Sequence, residues 1–246
     1  MDEANYPITN HLKDLRAILV RSMLWIGAGL IVCIAFADRL IDWLLGPVRQ
    51  VMGEKTNLIV LTPHEYFFTE MKAALVGGIL LASPWIFYQI WCFAAPGLYR
   101  HEKKMAFSFV AITALCFVGG ILFAQHFVFP SVFNFFIESV PEHIQGNYSI
   151  GLLFSFTTNL LLAFGLVFET PVLVFLLAYF NLVELSTLRS GRRYVIVLAF
   201  IVAAVLTPTP DPLTQTLMAV PIILLYELGI FWARMAKFRF YKITNL

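Results

Sequence analysis

Long apolar runs separated by shorter polar or basic intervals divide the chain at about 18–37, 71–91, 105–129, 152–180, 194–207 and 213–233. Most reach the ~20 residues that a helix rising 1.5 Å per residue needs to cross a ~30 Å hydrocarbon core. The runs lack barrel alternation, and open strands leave backbone groups unsatisfied in lipid, so six transmembrane helices are predicted. The expected fold class is an all-α polytopic membrane protein, a single six-helix transmembrane domain over 1–246. Helix five is short: the 14 residues between Arg193 and Pro208 span about 21 Å. The bilayer is expected to thin around it, or neighbouring helices to cover its ends.

Six crossings put both termini on one side, and the basic residues choose the side. Lys13 and Arg16, then Arg100, Lys103 and Lys104, then Arg189, Arg192 and Arg193, then Arg234, Lys237, Arg239 and Lys242 fall together, twelve of the 17 Lys and Arg. Arg39, Arg49 and Lys55 fall opposite, and Arg21 and Lys72 sit inside helix ends where their heads can snorkel. The positive-inside bias predicts that both termini are cytoplasmic. The external connections, 38–70 and 130–149, are the longer ones and are expected to form a periplasmic cap. Within the first, 39–48 is amphipathic, with Leu40, Trp43, Leu44 and Val48 suited to lie along the interface.

Composition narrows the function classes. Apolar residues make up 60% of the 246-residue chain and charged residues 13%, and a net charge of +2 is too mild to suggest nucleic acid. Cys33, Cys92 and Cys116 lie in or beside apolar runs with no C-x-x-C spacing and read as small apolar residues. The first ten residues carry Asp2 and Glu3 and do not resemble a cleavable leader, so the N-terminus is expected to be retained. Neither His64-Glu65 nor His101-Glu102 is completed to H-E-x-x-H, and there is no G-x-S-x-G or Walker A loop. An enzyme is not expected, and no cofactor or metal is implied.

The chemistry rests on a few acids. Asp14 stands just before the first apolar run, where its helical neighbours Asn10, His11, Ala17 and Ile18 include no fixed cation. It is either a solvated surface acid or an acceptor for an external cation. Glu102, in the short loop after helix two, is either screened by adjacent bases or a second such acceptor. Two carboxylates from separate segments would prefer guanidinium, which they can bind through paired charge-assisted hydrogen bonds. Glu169 lies inside the fourth apolar run beside Pro171, where a charged acid facing lipid costs roughly 3 kcal/mol on insertion scales. It is either satisfied by a neighbouring helix or faces a wetted groove, and Pro171 is expected to break the helix there. Glu227 lies seven residues before Arg234 and is expected to pair toward that end of helix six.

Motifs along nearly the whole chain complete the reading: HLKDLR at 11–16, SPWIFYQIW at 83–91, APGLYRHEK at 95–103, FETP at 168–171, LTP at 206–208 and QTL at 215–217. Together, in this order, they resemble the TatC family of the twin-arginine translocase. The resemblance implies a concave, glove-like bundle that binds twin-arginine signal peptides of folded cargo and works with TatA and TatB in a multimeric complex driven by the protonmotive force. It implies that Asp14 and Glu102 receive the arginine pair, with Arg16 and Phe93 nearby, and that Glu169 and Gln215 form an intramembrane polar site. The chain departs from the family pattern at Asp14, where glutamate is usual, and at the additional Thr209. The main alternative is a proton-coupled secondary transporter or channel, suggested by Glu169 and the proline-broken helices; an intramembrane enzyme lacks a nucleophile–base pair or metal cluster in this sequence.

Overall fold

The computed structural model describes residues 8–52, 57–94, 103–141, 147–180, 182–206 and 212–244, with the backbone alone at 8–11, 52, 93–94, 103–107, 213–214 and 236–244. The elements are α1 (Ile8–Ile34), α2 (Ala37–Met52), β1 (Asn57–Ile59), α3 (Glu65–Ala94), α4 (Lys103–Phe123), a π-helical turn (Ala124–Val128), α5 (Phe129–Glu138), β2 (Asn147–Ser149), α6 (Ile150–Val167), α7 (Thr170–Tyr179), α8 (Leu185–Ser190), α9 (Arg192–Leu206) and α10 (Pro212–Thr244). Among the described residues, five stretches are long and apolar enough to cross a bilayer: Leu12–Ile34, Glu65–Cys92, Ser108–Glu138, Ile150–Tyr179 and Gln215–Met235. The sixth apolar helix is α9, whose 15 residues rise only about 22 Å. The chain is thus an all-α polytopic protein with a short fifth membrane segment. It divides into two compact units.

The first unit holds 1–46, 57–115 and 147–155. Its axis is the antiparallel pair α1 and α3, brought to backbone contact by glycines. A Cβ on Gly29 would stand 2.8 Å from the Gly78 carbonyl oxygen, and one on Gly78 would stand 2.7 Å from the Leu30 nitrogen. Small residues permit such approach, and dispersion between close backbones holds helices together where lipid supplies no hydrophobic drive. Toward one end Trp25 stacks on Trp85 at 4.9 Å and 3°; toward the other the Tyr66 hydroxyl donates to Asp38 Oδ1 at 2.8 Å. The outward side chains of α1, including Met23, Leu24 and Ile31, are exposed, as lipid allows. Pro84 removes the donor to the Leu80 carbonyl within α3, and Ser83 Oγ donates to that oxygen instead at 2.8 Å.

The second unit holds 47–56, 116–146 and 156–246. Here α4 and α6 meet through Gly120, whose Cβ would lie 2.5 Å from the Phe164 carbonyl oxygen, and Gly165, which accommodates the Phe117 ring. Helix α10 packs on α7, α8 and α9 around Val174, Ala178, Leu188, Tyr226, Ile230 and Ala233. The Tyr226 hydroxyl donates to the Leu188 carbonyl at 2.7 Å in the buried core.

Several local expectations need correction. The third membrane helix does not stop at Phe129. The π-helical turn closes with Phe129 N–H donating to the Ala124 carbonyl, admitting one extra residue so that Pro130 falls in the first turn of α5, where its missing donor is tolerated. The buried face of α2 is Ala37, Ile41, Leu44, Leu45 and Val48, while Trp43 is 41% exposed. Leu44 and Val48 of the expected apolar stripe are thus buried within the protein, together with Ile41 and Leu45, which that stripe did not include. Glu227 pairs with Arg192 of α9, a base grouped on the same side as Arg234 by the sequence: Arg192 Nε and Nη2 reach its two carboxylate oxygens at 2.7 Å each. Lys72 Nζ donates to Ser155 Oγ at 3.0 Å, so its ammonium is held by a protein hydroxyl. Of the cysteines, Cys33 is buried and Cys92 and Cys116 are half-buried, all as free thiols.

Candidate functional site

Asp14 and Arg16 are exposed on the second turn of α1. The spacing i, i+3, i+4, i+7, i+8 puts Lys13, Arg16, Ala17, Val20 and Arg21 on one stripe of that helix, where they line a shallow depression of about 440 Å³. Asp14 is one residue, hence about 100° of helical turn, from Lys13. Glu102 lies outside the described residues, as do the side chain of Phe93 and the Thr207–Asp211 segment containing Thr209.

Glu169 has a defined setting within the second unit. Helix α6 ends at Val167 and α7 begins at Thr170, with Pro171 in its first turn. The proline denies the Val167 carbonyl its helical donor. At the break, Glu169 N–H bonds to the Leu166 carbonyl at 3.1 Å, while Leu173 N–H donates to the Glu169 carbonyl at 2.9 Å. The side chain is only 7% exposed, and its Oε1 has no hydrogen-bond partner among the described residues. The surroundings explain the burial. Phe168 packs on Phe123 at 5.3 Å, and Gly229 brings α10 so close that its Cβ would stand 2.9 Å from Pro171 Cα. A buried oxygen left without a donor costs on the order of 1–3 kcal/mol. Gln215, half-buried, lies in the first turns of α10.

A second carboxylate was missed by sequence reasoning. Glu65 opens α3 and accepts from Ser149 Oγ, from Gly151 N–H at 2.8 Å, from Leu61 N–H at 2.5 Å and from Thr62 N–H at 3.3 Å. It thereby joins β1 and β2, which pair in parallel as Asn57 with Asn147, Leu58 with Tyr148 and Ile59 with Ser149. The local half was legible: Thr62-Pro63-His64-Glu65 has the spacing of a capping box, with proline at the first helical position. The link to Ser149, 84 residues away, has no local signature.

Comparison with known proteins decides the family. The family model described as Sec-independent protein translocase protein (TatC) matches residues 10–221. The chain belongs to the TatC family. Members similar to it include the TatC proteins of Desulforapulum autotrophicum, 40% identical over 95% of this chain and 86% of the relative, and of Escherichia coli strain K12, 34% identical over 94% and 90%. A crystal structure described as the twin-arginine translocase receptor TatC superposes with a TM-score of 0.81 at 34% identity, covering 92% of this chain and 99% of the other. Family membership makes the chain a component of the Sec-independent protein translocase, a multi-pass membrane protein with a role in protein transport, which displaces the small-solute carrier considered above.

Proposed function

We propose that this chain is the receptor core of twin-arginine export, binding the signal peptides of folded cargo and assembling with TatA and TatB for transport driven by the protonmotive force. It resides in the cytoplasmic membrane with both termini inside and the 38–70 and 130–149 connections outside. The observation that carries the reading is family membership spanning 10–221. Asp14, exposed on α1, supports it locally as an acid available to an incoming guanidinium.

In this reading Asp14 and Glu102 receive the two arginines, with Arg16 and Phe93 beside them. Glu169 and Gln215 serve a polar group on the inserted peptide or on a partner helix. The buried Oε1 of Glu169, without a hydrogen-bond partner among the described residues, supports that role, because a hydrogen-bond donor arriving with a ligand would remove the penalty of an unsatisfied oxygen. The direct test is binding of a twin-arginine signal peptide to purified Glu102→Gln protein. Losing one charge-assisted contact is expected to cost about 1.5–3 kcal/mol, a weakening of roughly 10- to 150-fold. Unchanged affinity would refute the assignment of Glu102.

A further inference from the structure

The Glu65 carboxylate sits where two extramembrane connections meet. One leads through β1 into α3, the other through β2 into α6. Among the described residues, four donors meet the carboxylate: the Leu61 and Thr62 amides ahead of α3, and the Ser149 hydroxyl and Gly151 amide at the start of α6. Ser149 Oγ in turn accepts from Leu152 N–H at 3.2 Å, which orients its own proton toward Glu65. An acceptor with two oxygens and no proton fits this ring of donors, whereas an amide would turn an N–H₂ toward at least one backbone N–H. The negative charge also faces the amino end of α6, where helix amides favour it.

Packing closes around the same point. A Cβ on Gly151 would stand 2.8 Å from both Glu65 Cγ and Oε1, so glycine is what lets the carboxylate reach the Gly151 amide. Thr69 Oγ1 donates to the Glu65 carbonyl at 2.8 Å, tightening the first turn of α3. Against this, β1 and β2 are three residues each, too short to hold two connections by ladder hydrogen bonds alone.

We propose that Glu65 is the pin that fastens the β1 and β2 connections to each other, and that this strap must remain closed for transport. The test uses the full-length protein in membranes, with Cys33, Cys92 and Cys116 replaced by alanine and cysteines placed at Asn57 and Asn147, an exposed pair in register. Disulfide formation under mild oxidant should be fast with Glu65 and slow with Glu65→Gln. Export of a folded reporter bearing a twin-arginine signal should fall in Glu65→Gln and recover once the 57–147 disulfide forms. Should Glu65→Gln not accumulate, Ser149→Ala, which removes one donor and leaves the carboxylate, provides the same two readings. Equal crosslinking rates with and without the pin would overturn the proposal, as would an export defect that the disulfide does not repair. Export that stalls when the disulfide forms in the Glu65 protein, and returns on reduction, would also overturn it, because the strap would then have to open. The crosslinking rate reads the pin itself and export reads its consequence. Failure of the receptor reading, seen as no export even in the parent, is therefore distinguishable from failure of the pin.

Discussion

Gly27 and Gly29 lie two residues apart on α1, on nearly opposite faces of the helix, and alanine at each should have opposite effects. Alanine at Gly27 meets nothing within 4 Å, so only helix propensity changes, a gain of up to about 1 kcal/mol. Alanine at Gly29 has the same propensity gain but places its Cβ 2.8 Å from the Gly78 carbonyl oxygen and 2.9 Å from Gly78 Cα. Those atoms are backbone, so no rotamer change relieves the clash and α1 must shift from α3 by several tenths of an ångström. Overpacking of this kind costs about 1–3 kcal/mol. Because propensity cancels in the comparison, the two variants should differ by about that amount, or roughly 2–12 °C in unfolding midpoint for a chain of this size. Cys33 supplies the assay: it is 5% exposed, and its Sγ would be 2.8 Å from a Cβ on Gly77. With Cys92 and Cys116 replaced by serine, a thiol-reactive dye in a thermal ramp reports when α1 leaves α3. Gly29→Ala combined with Gly78→Ala should cost less than the sum of the two, since helices already pushed apart accommodate the second methyl. Equal midpoints for Gly27→Ala and Gly29→Ala would refute backbone contact at this crossing.

Three further outcomes follow from other residues. Tyr226→Phe removes the buried bond to the Leu188 carbonyl and should destabilise the protein by about 1–2 kcal/mol, measured as a lower unfolding midpoint, with no change if water replaces the hydroxyl. Glu169→Gln and Glu169→Ala should both insert and remain folded while transport falls and crosslinks from a twin-arginine signal peptide change; normal transport and crosslinks in both would reduce Glu169 to a tolerated helix contact. Cysteines introduced at Gly191 and near the C-terminus should resist an impermeant reagent in intact cells while one at Gly146 reacts, and the reverse pattern would invert the orientation read from the basic residues.

The membrane segments were legible in the residues because insertion into lipid is governed by properties local to each stretch: apolar length, the charges flanking it and the prolines within it. The six segments, the shortness of α9 and the break at Pro171 all follow from such terms. The capping box at Thr62-Pro63-His64-Glu65 is local in the same sense, but the reading of the sequence passed over it. Membership of a translocase family was legible for a different reason, since motifs such as those at 11–16 and 168–171 keep order and spacing along the chain.

What only the tertiary structure decided depends on register between distant segments. An amphipathic pattern at 37–52 allows more than one buried stripe, and packing buried Ile41 and Leu45 along with Leu44 and Val48 while leaving Trp43 exposed. Glu227 had a basic residue two helical turns along its own helix, yet bonds Arg192, 35 positions away, because α9 and α10 pack side by side. A glycine in an apolar run reads alike at 27 and 29, and only the presence of α3 against one of them separates a tolerant site from a strict one. Glu65 is likewise an ordinary helix-start acid until Ser149 and Gly151 arrive from across the chain. Hydrophobic transfer sums along a sequence and can be read from it, whereas contact and hydrogen-bond geometry fall off within an ångström and exist only once the segments have been brought together.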